Sequence, residues 1–107
     1  MLTVEQACAE LELGEQRELL TWIERRWVLP ASGEDGYLFD EVDMARLRLI
    51  RELRHDLSID EDTVPLILSL LDQVYALRGT LRDLHDAIQA APSDARAAIA
   101  ERLKAAS

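Results

Sequence analysis

Aromatic residues make up only 5% of this 107-residue chain, and cysteine occurs once. So thin an aromatic supply leaves Leu, Ile, Val and Ala to build the core, as in helical proteins. A lone Cys8 excludes an internal disulfide and a cysteine-rich metal site, and it reads as a small apolar helix residue in a reducing compartment. No apolar run approaches the ~18 residues of a membrane-spanning helix. The start MLTVEQ lacks the basic segment and apolar stretch of a signal peptide, so a cytoplasmic location is expected. Positive charge is scarce as well: the formal net charge is -9, with a pI near 4.6. Nucleic-acid binding draws its affinity from Lys and Arg displacing counterions, so this balance argues against a polyanion and favours a basic protein surface.

Catalytic signatures are missing too. His55 and His85 lie far apart with no second ligand at metal spacing, and nothing pairs Cys8 with either as a nucleophile. There is no Gly-rich phosphate loop, and the many carboxylates fall on helix faces, where solvation explains them. The expectation is a protein that is not an enzyme and holds no cofactor or metal.

What is present centres on Gly36 to Asp60, which joins a turn, an N-capped amphipathic helix and the break into a long helix. Before it, Thr3-x-x-Gln6 fits a capping box, and Val4, Ala7, Cys8 and Leu11 predict a first helix over Val4 to Glu12, closed at Gly14. Leu19, Trp22 and Ile23 predict a second helix from Glu15 to Arg26, stopped by Pro30, so that the pair forms a helix-turn-helix. Ala31 to Gly36 reads as a loop between Val28-Leu29 and Tyr37-Leu38-Phe39, which predicts a minimal two-stranded wing.

Asp40 caps a third helix whose apolar stripe is Val42, Ala45, Leu49, Ile50, Leu53 and Leu57, opposite Arg48, Arg51 and His55. Asp60 or Asp62 caps a fourth, and Pro65 limits its start to Glu61–Thr63. Ile67, Leu70, Val74, Leu77, Leu81, Leu84 and Ile88 alternate by three and four along it. Such a seam suits an antiparallel helix pair or a dimeric coiled coil, so a homodimer through these residues is one expectation. An Ala-rich tail follows Ala91-Pro92-Ser93, with Ser93 able to cap a last helix. The whole is a single, mostly α domain: a winged helix-turn-helix-like unit (1–57), a long helical arm (58–90) and the tail (91–107).

The segment Asp40 to Ile50 resembles the capped third helix of the MerR family's winged helix-turn-helix, and Trp27-Val28-Leu29-Pro30 resembles the run into its wing. That resemblance implies a MerR-like DNA-binding transcriptional regulator, dimeric through the long helix. DNA-reading members, however, place an arginine and tyrosines in the second helix, where this chain has Leu20, Thr21 and Trp22, or Thr21, Trp22 and Ile23. Their wing carries an arginine where Tyr37 or Leu38 stands. Through Asp40, three arginines face nine carboxylates, leaving -6 on the unit that would approach DNA. The chain is more similar to the CbpM-like chaperone modulators, on Tyr37-Leu38-Phe39-Asp40, on Arg51 to Asp60 and on Leu68-Ser69-Leu70-Leu71-Asp72. That resemblance implies a protein that binds the J-domain of a DnaJ-like co-chaperone and inhibits its stimulation of Hsp70.

For such a role the candidate partner-binding residues are Trp22, Tyr37, Glu15, Glu18, Glu34, Asp35, Glu41 and Asp43. The carboxylates would steer a basic surface. At least one of Trp22 and Trp27 is expected in the core, and an exposed tryptophan would be an interface hot spot. The sequence leaves the exposure of Tyr37 open.

Overall fold

A computed structural model describes residues 1–106 of the chain; Ser107, the end of the tail, lies outside the described residues. The elements in order are β1 (Leu2–Thr3), α1 (Val4–Leu11), α2 (Gln16–Glu24), β2 (Ala31–Gly33), β3 (Gly36–Phe39), α3 (Glu41–Arg51), α4 (Val64–Ala90) and α5 (Ser93–Ala106). A π-helical turn, Glu52–Asp56, follows α3 directly. The fold is mostly α, with a winged helix-turn-helix and a long helix near its end, as expected. The chain divides into two compact units, Met1–Leu68 and a second beginning at Ser69.

In the first unit the predicted caps form. Thr3 Oγ1 accepts the Gln6 N–H at 3.2 Å, and the Gln6 side chain accepts the Thr3 N–H at 3.0 Å. Asp40 caps α3 by the same reciprocal geometry with Asp43. Two orphan N–H groups are thus satisfied at each helix start. At the start of α4, Asp60 Oδ1 accepts the Thr63 N–H at 2.9 Å. Residues 61–63 form turns and the α-helix begins at Val64, one residue beyond the predicted window.

The helix ends depart from expectation. Glu12 (φ 54), not Gly14, takes the left-handed conformation after α1, and Leu13 N–H then reaches the Cys8 carbonyl at 3.0 Å. The end of α2 repeats the device: Arg26 (φ 63) turns, and Trp27 N–H reaches the Trp22 carbonyl at 3.0 Å. Both turns tuck a buried apolar residue, Leu13 or Trp27, back under the helix. That burial fixes where the chain must reverse, and it overrides the preference for glycine. Helix α2 therefore stops at Glu24, well before Pro30.

The wing is also displaced. Its first strand is Ala31–Gly33, inside the predicted loop, rather than Val28-Leu29. Val28 is buried instead in the core. Strands β2 and β3 pair antiparallel around Glu34-Asp35, with Gly33 opposite Gly36. Gly36 has φ 112, a conformation that strains any side chain. Unexpectedly, Leu2 and Thr3 add a third strand beside β3, so the sheet order is β1-β3-β2.

The core comprises Ala7, Cys8 and Leu11 of α1, Leu19 and Trp22 of α2, Phe39 of β3, Met44, Leu47 and Ile50 of α3, and Val64 and Leu68 of α4, with Leu13, Trp27, Val28 and Leu53 between. The inward face keeps Ile50 and Leu53 of the predicted stripe but takes Met44 and Leu47 in place of its ends: Val42 is 77% exposed and Leu57 also faces solvent. Phe39 and the sheet cover the side of α3 that Met44 and Leu47 present, and this selects one of two overlapping apolar faces. Ile67 packs half-buried against this core, so the first member of the predicted seam has a role within its own unit.

In the second unit, Leu70, Val74, Leu77, Leu81 and Leu84 of α4 are all exposed, together with Tyr75 and with Leu103 of α5. No helix among the described residues is long and apolar enough to cross a membrane.

Candidate functional site

Charge separates the two units. Residues 1–68 hold seven arginines against sixteen carboxylates, a formal balance of -9, and the remainder holds five cations against five carboxylates. All of the chain's net charge therefore resides on the first unit. Several of its arginines are engaged internally: Arg25 with Glu61 at 2.9 Å, Arg48 with Glu10 at 3.4 Å, Arg54 with Glu61 at 3.7 Å and Arg51 with Asp56 at 3.9 Å. Arg46 donates to the Trp27 carbonyl. Exposed ion pairs of this kind add ~0–1 kcal/mol each, so they hold cations in place more than they stabilise the fold.

Among the expected partner-binding residues, Trp22 is only 3% exposed and its ring belongs to the core. That corrects its expected role as a partner-binding residue, because the side of α2 that carries Leu19 also carries Trp22 inward, out of reach of a partner. Trp27 is buried as well, and Arg25 lies 5.8 Å from the centre of its ring. Glu18 is half-buried and its Oε1 contacts Nε2 of His55, on the π-helical turn. Asp43 is half-buried and held in the α3 cap. Glu15, Glu34, Asp35, Tyr37 and Glu41 are exposed.

Two grooves gather parts of this set. One is lined by Thr3, Val4, Glu5, Gln16, Leu20, Asp35, Gly36 and Tyr37, so it has walls from the start of α1, from α2 and from the wing. It exists because β1 pairs with β3: Thr3 sits opposite Leu38, which carries the first turn of α1 to the wing. The other is lined by Met1, Leu2, Glu10, Phe39, Asp40, Glu41, Met44 and Arg48, and the Arg48–Glu10 pair lies in its wall. Asp35 and Tyr37 therefore share a site, and Glu41 belongs to a different one. Glu15 is the N-cap residue of α2, next to Gln16 of the first groove.

Sequence reasoning passed over Leu20, Val4 and Glu5 as site residues. Leu20 is 43% exposed on α2, off the Leu19–Trp22 face, and that off-stripe position was the available signal. No such signal existed for Val4 and Glu5, because only strand pairing brings them to the wing.

Three groups have shifted acidities. Burial pushes the Asp43 carboxyl up, and the neighbouring Asp40 charge adds to this, against a lowering hydrogen bond from the Asp40 backbone. Hydrogen bonds from Thr63 hold the Asp60 carboxyl below its ordinary value. Burial, with the nearby Glu18 charge, raises the Cys8 thiol, which keeps it in the unreactive protonated form. Among the described residues, no cluster of three or more His, Cys, Asp or Glu is placed to hold a metal ion.

The family described as MerR HTH family regulatory protein matches residues 2–86. Comparison with curated proteins and with solved structures gives no match.

Proposed function

We propose a function from one premise: the chain belongs to the MerR HTH family of regulatory proteins. Within that family it acts as a non-enzymatic chaperone modulator of the CbpM-like kind. It binds the J-domain of a DnaJ-like co-chaperone and inhibits its stimulation of Hsp70. The mechanism is competitive occlusion, in which the acidic unit covers the basic J-domain face that Hsp70 needs. The observation that carries this reading is the charge partition. A unit with a balance of -9 is drawn to a basic protein surface and repelled by duplex phosphate.

A second reading, a DNA-binding transcriptional regulator, is supported by the family match at least as well. Against it stand Leu20 or Thr21 in α2, and Tyr37 or Leu38 in the wing, at the positions where DNA-reading members carry arginine. Both readings accommodate a homodimer. The exposed seam Leu70, Val74, Leu77, Leu81 and Leu84 supports one, because solvent contact along so long an apolar face is unfavourable.

Binding to the cognate J-domain protein and to duplex DNA, each measured across a salt series, separates the readings. The modulator reading expects J-domain binding that weakens as salt rises and no duplex binding beyond background. A failure to bind the J-domain at low salt would remove it.

A further inference from the structure

We infer that the groove between α1, α2 and the wing is the docking site for a cationic amphipathic helix of the J-domain. An apolar residue of that helix seats against Leu20 and Tyr37, and its basic residues face Glu5 and Asp35. This rests on the reading above that a J-domain is the partner, and it adds where the contact lies and what shape fills it.

The composition of the groove sets the chemistry of its occupant. Val4, Leu20 and Tyr37 supply apolar surface from all three walls, and Glu5 and Asp35 supply negative charge from two of them. None of the eight lining residues is cationic. Arg17 follows Gln16 on α2 but does not line the groove, while Glu15 precedes it and Glu34 precedes Asp35 at the wing turn. Apolar surface with carboxylates from two of its three walls is the complement of a helix whose apolar stripe is bordered by Lys or Arg, the helix-in-groove mode of recognition. The other groove of this unit also sets apolar Met1, Leu2, Phe39 and Met44 beside Glu10, Asp40 and Glu41, but it has a cation, Arg48, in its wall, paired with Glu10.

The aromatic and leucine positions are the expected centre of the contact, because apolar groups shielded from water carry more of the binding energy than rim charges.

The test uses the full chain and its cognate J-domain protein, with affinity measured by titration calorimetry at low salt. The variants are Leu20→Ser, Tyr37→Ser and the pair Glu5→Lys with Asp35→Lys, and the control is Glu24→Lys, exposed at the end of α2 and lining neither groove. Circular dichroism confirms that each is folded. The inference expects every groove variant to weaken binding roughly tenfold or more, and Glu24→Lys to stay within about twofold. Leu20→Ser and Tyr37→Ser change no charge, so their losses separate a seated contact from diffuse attraction. If wild type binds but the two serine variants bind equally well, the docking site is wrong and the modulator reading stands. If Glu24→Lys loses as much as the groove variants, attraction is unlocalised and the docking site is again wrong. If wild type does not bind at all, the modulator reading fails and takes this inference with it.

Discussion

Replacing the two carboxylates that cap α3 should change stability in opposite directions. Asp40 Oδ1 accepts the Asp43 N–H at 2.7 Å, and Asp43 Oδ2 accepts the Asp40 N–H at 3.1 Å. Asp40→Ala removes the N-cap acceptor, a loss of about 1 kcal/mol. It also removes one of two like charges spaced three residues apart, a gain of about 0.2–0.5 kcal/mol. The cap outweighs the repulsion, so Asp40→Ala should destabilise by roughly 0.5–1 kcal/mol, or a melting temperature lower by about 2–8 °C. Asp43→Asn keeps an oxygen for the Asp40 N–H and relieves the same repulsion, so at neutral pH it should stabilise by about 0.2–0.5 kcal/mol.

The pH dependence follows from the raised Asp43 carboxyl. A folded-state pKa above the unfolded value means that the native state holds the proton more tightly. The penalty is therefore complete above the folded pKa and is relieved as pH falls through it. The advantage of Asp43→Asn over wild type should shrink in that window and vanish below it. Thermal melts followed by far-UV circular dichroism, run from neutral pH downward, measure both effects. If Asp43→Asn is as destabilising as Asp40→Ala at neutral pH, the account of a cap under charge repulsion is refuted.

Three further outcomes are expected. Trp22→Ala should cost about 3–5 kcal/mol, read as a large fall in the denaturation midpoint, whereas Leu20→Ser two residues away should stay within about 1 kcal/mol. Leu81 is 64% exposed, so if the seam joins two copies its burial contributes about 1–2 kcal/mol per copy. Leu81→Asp should then raise the dimer dissociation constant at least thirtyfold or so in sedimentation equilibrium, and an unchanged constant would mean the seam is not the interface. Glu12→Gly should stabilise by about 1 kcal/mol, because Glu12 sits at φ 54, where glycine carries no Cβ penalty; a lower melting temperature would contradict this.

The caps at Thr3 and Asp40 were legible because capping is a matter of side chains three residues apart. The existence of α1 to α4 was legible from periodicity for the same local reason. What the sequence left undetermined was decided across the chain. Met44 and Leu47, rather than Val42 and Leu57, face inward because Phe39 and the sheet sit on one particular side of α3. Glu12 and Arg26 turn left-handed because Leu13 and Trp27 must reach the core. Two residues at Leu2–Thr3 are too few to show a strand pattern, yet their pairing with β3 builds one wall of the candidate groove. Tyr37 and Asp35 could be named from the wing alone; Val4 and Glu5 could not.

The left-handed residues have one more consequence. Glu12, Arg26 and Ser58 close α1, α2 and the π-helical turn with side chains where glycine would fit more easily. Each departure costs about 1–2 kcal/mol against a total of ~5–15 kcal/mol for a small domain. Anything that binds only the native form adds to that total and raises the melting temperature in step with occupancy. The first unit would thus report its own ligand: mixed with the right partner, it should melt later, with no label attached.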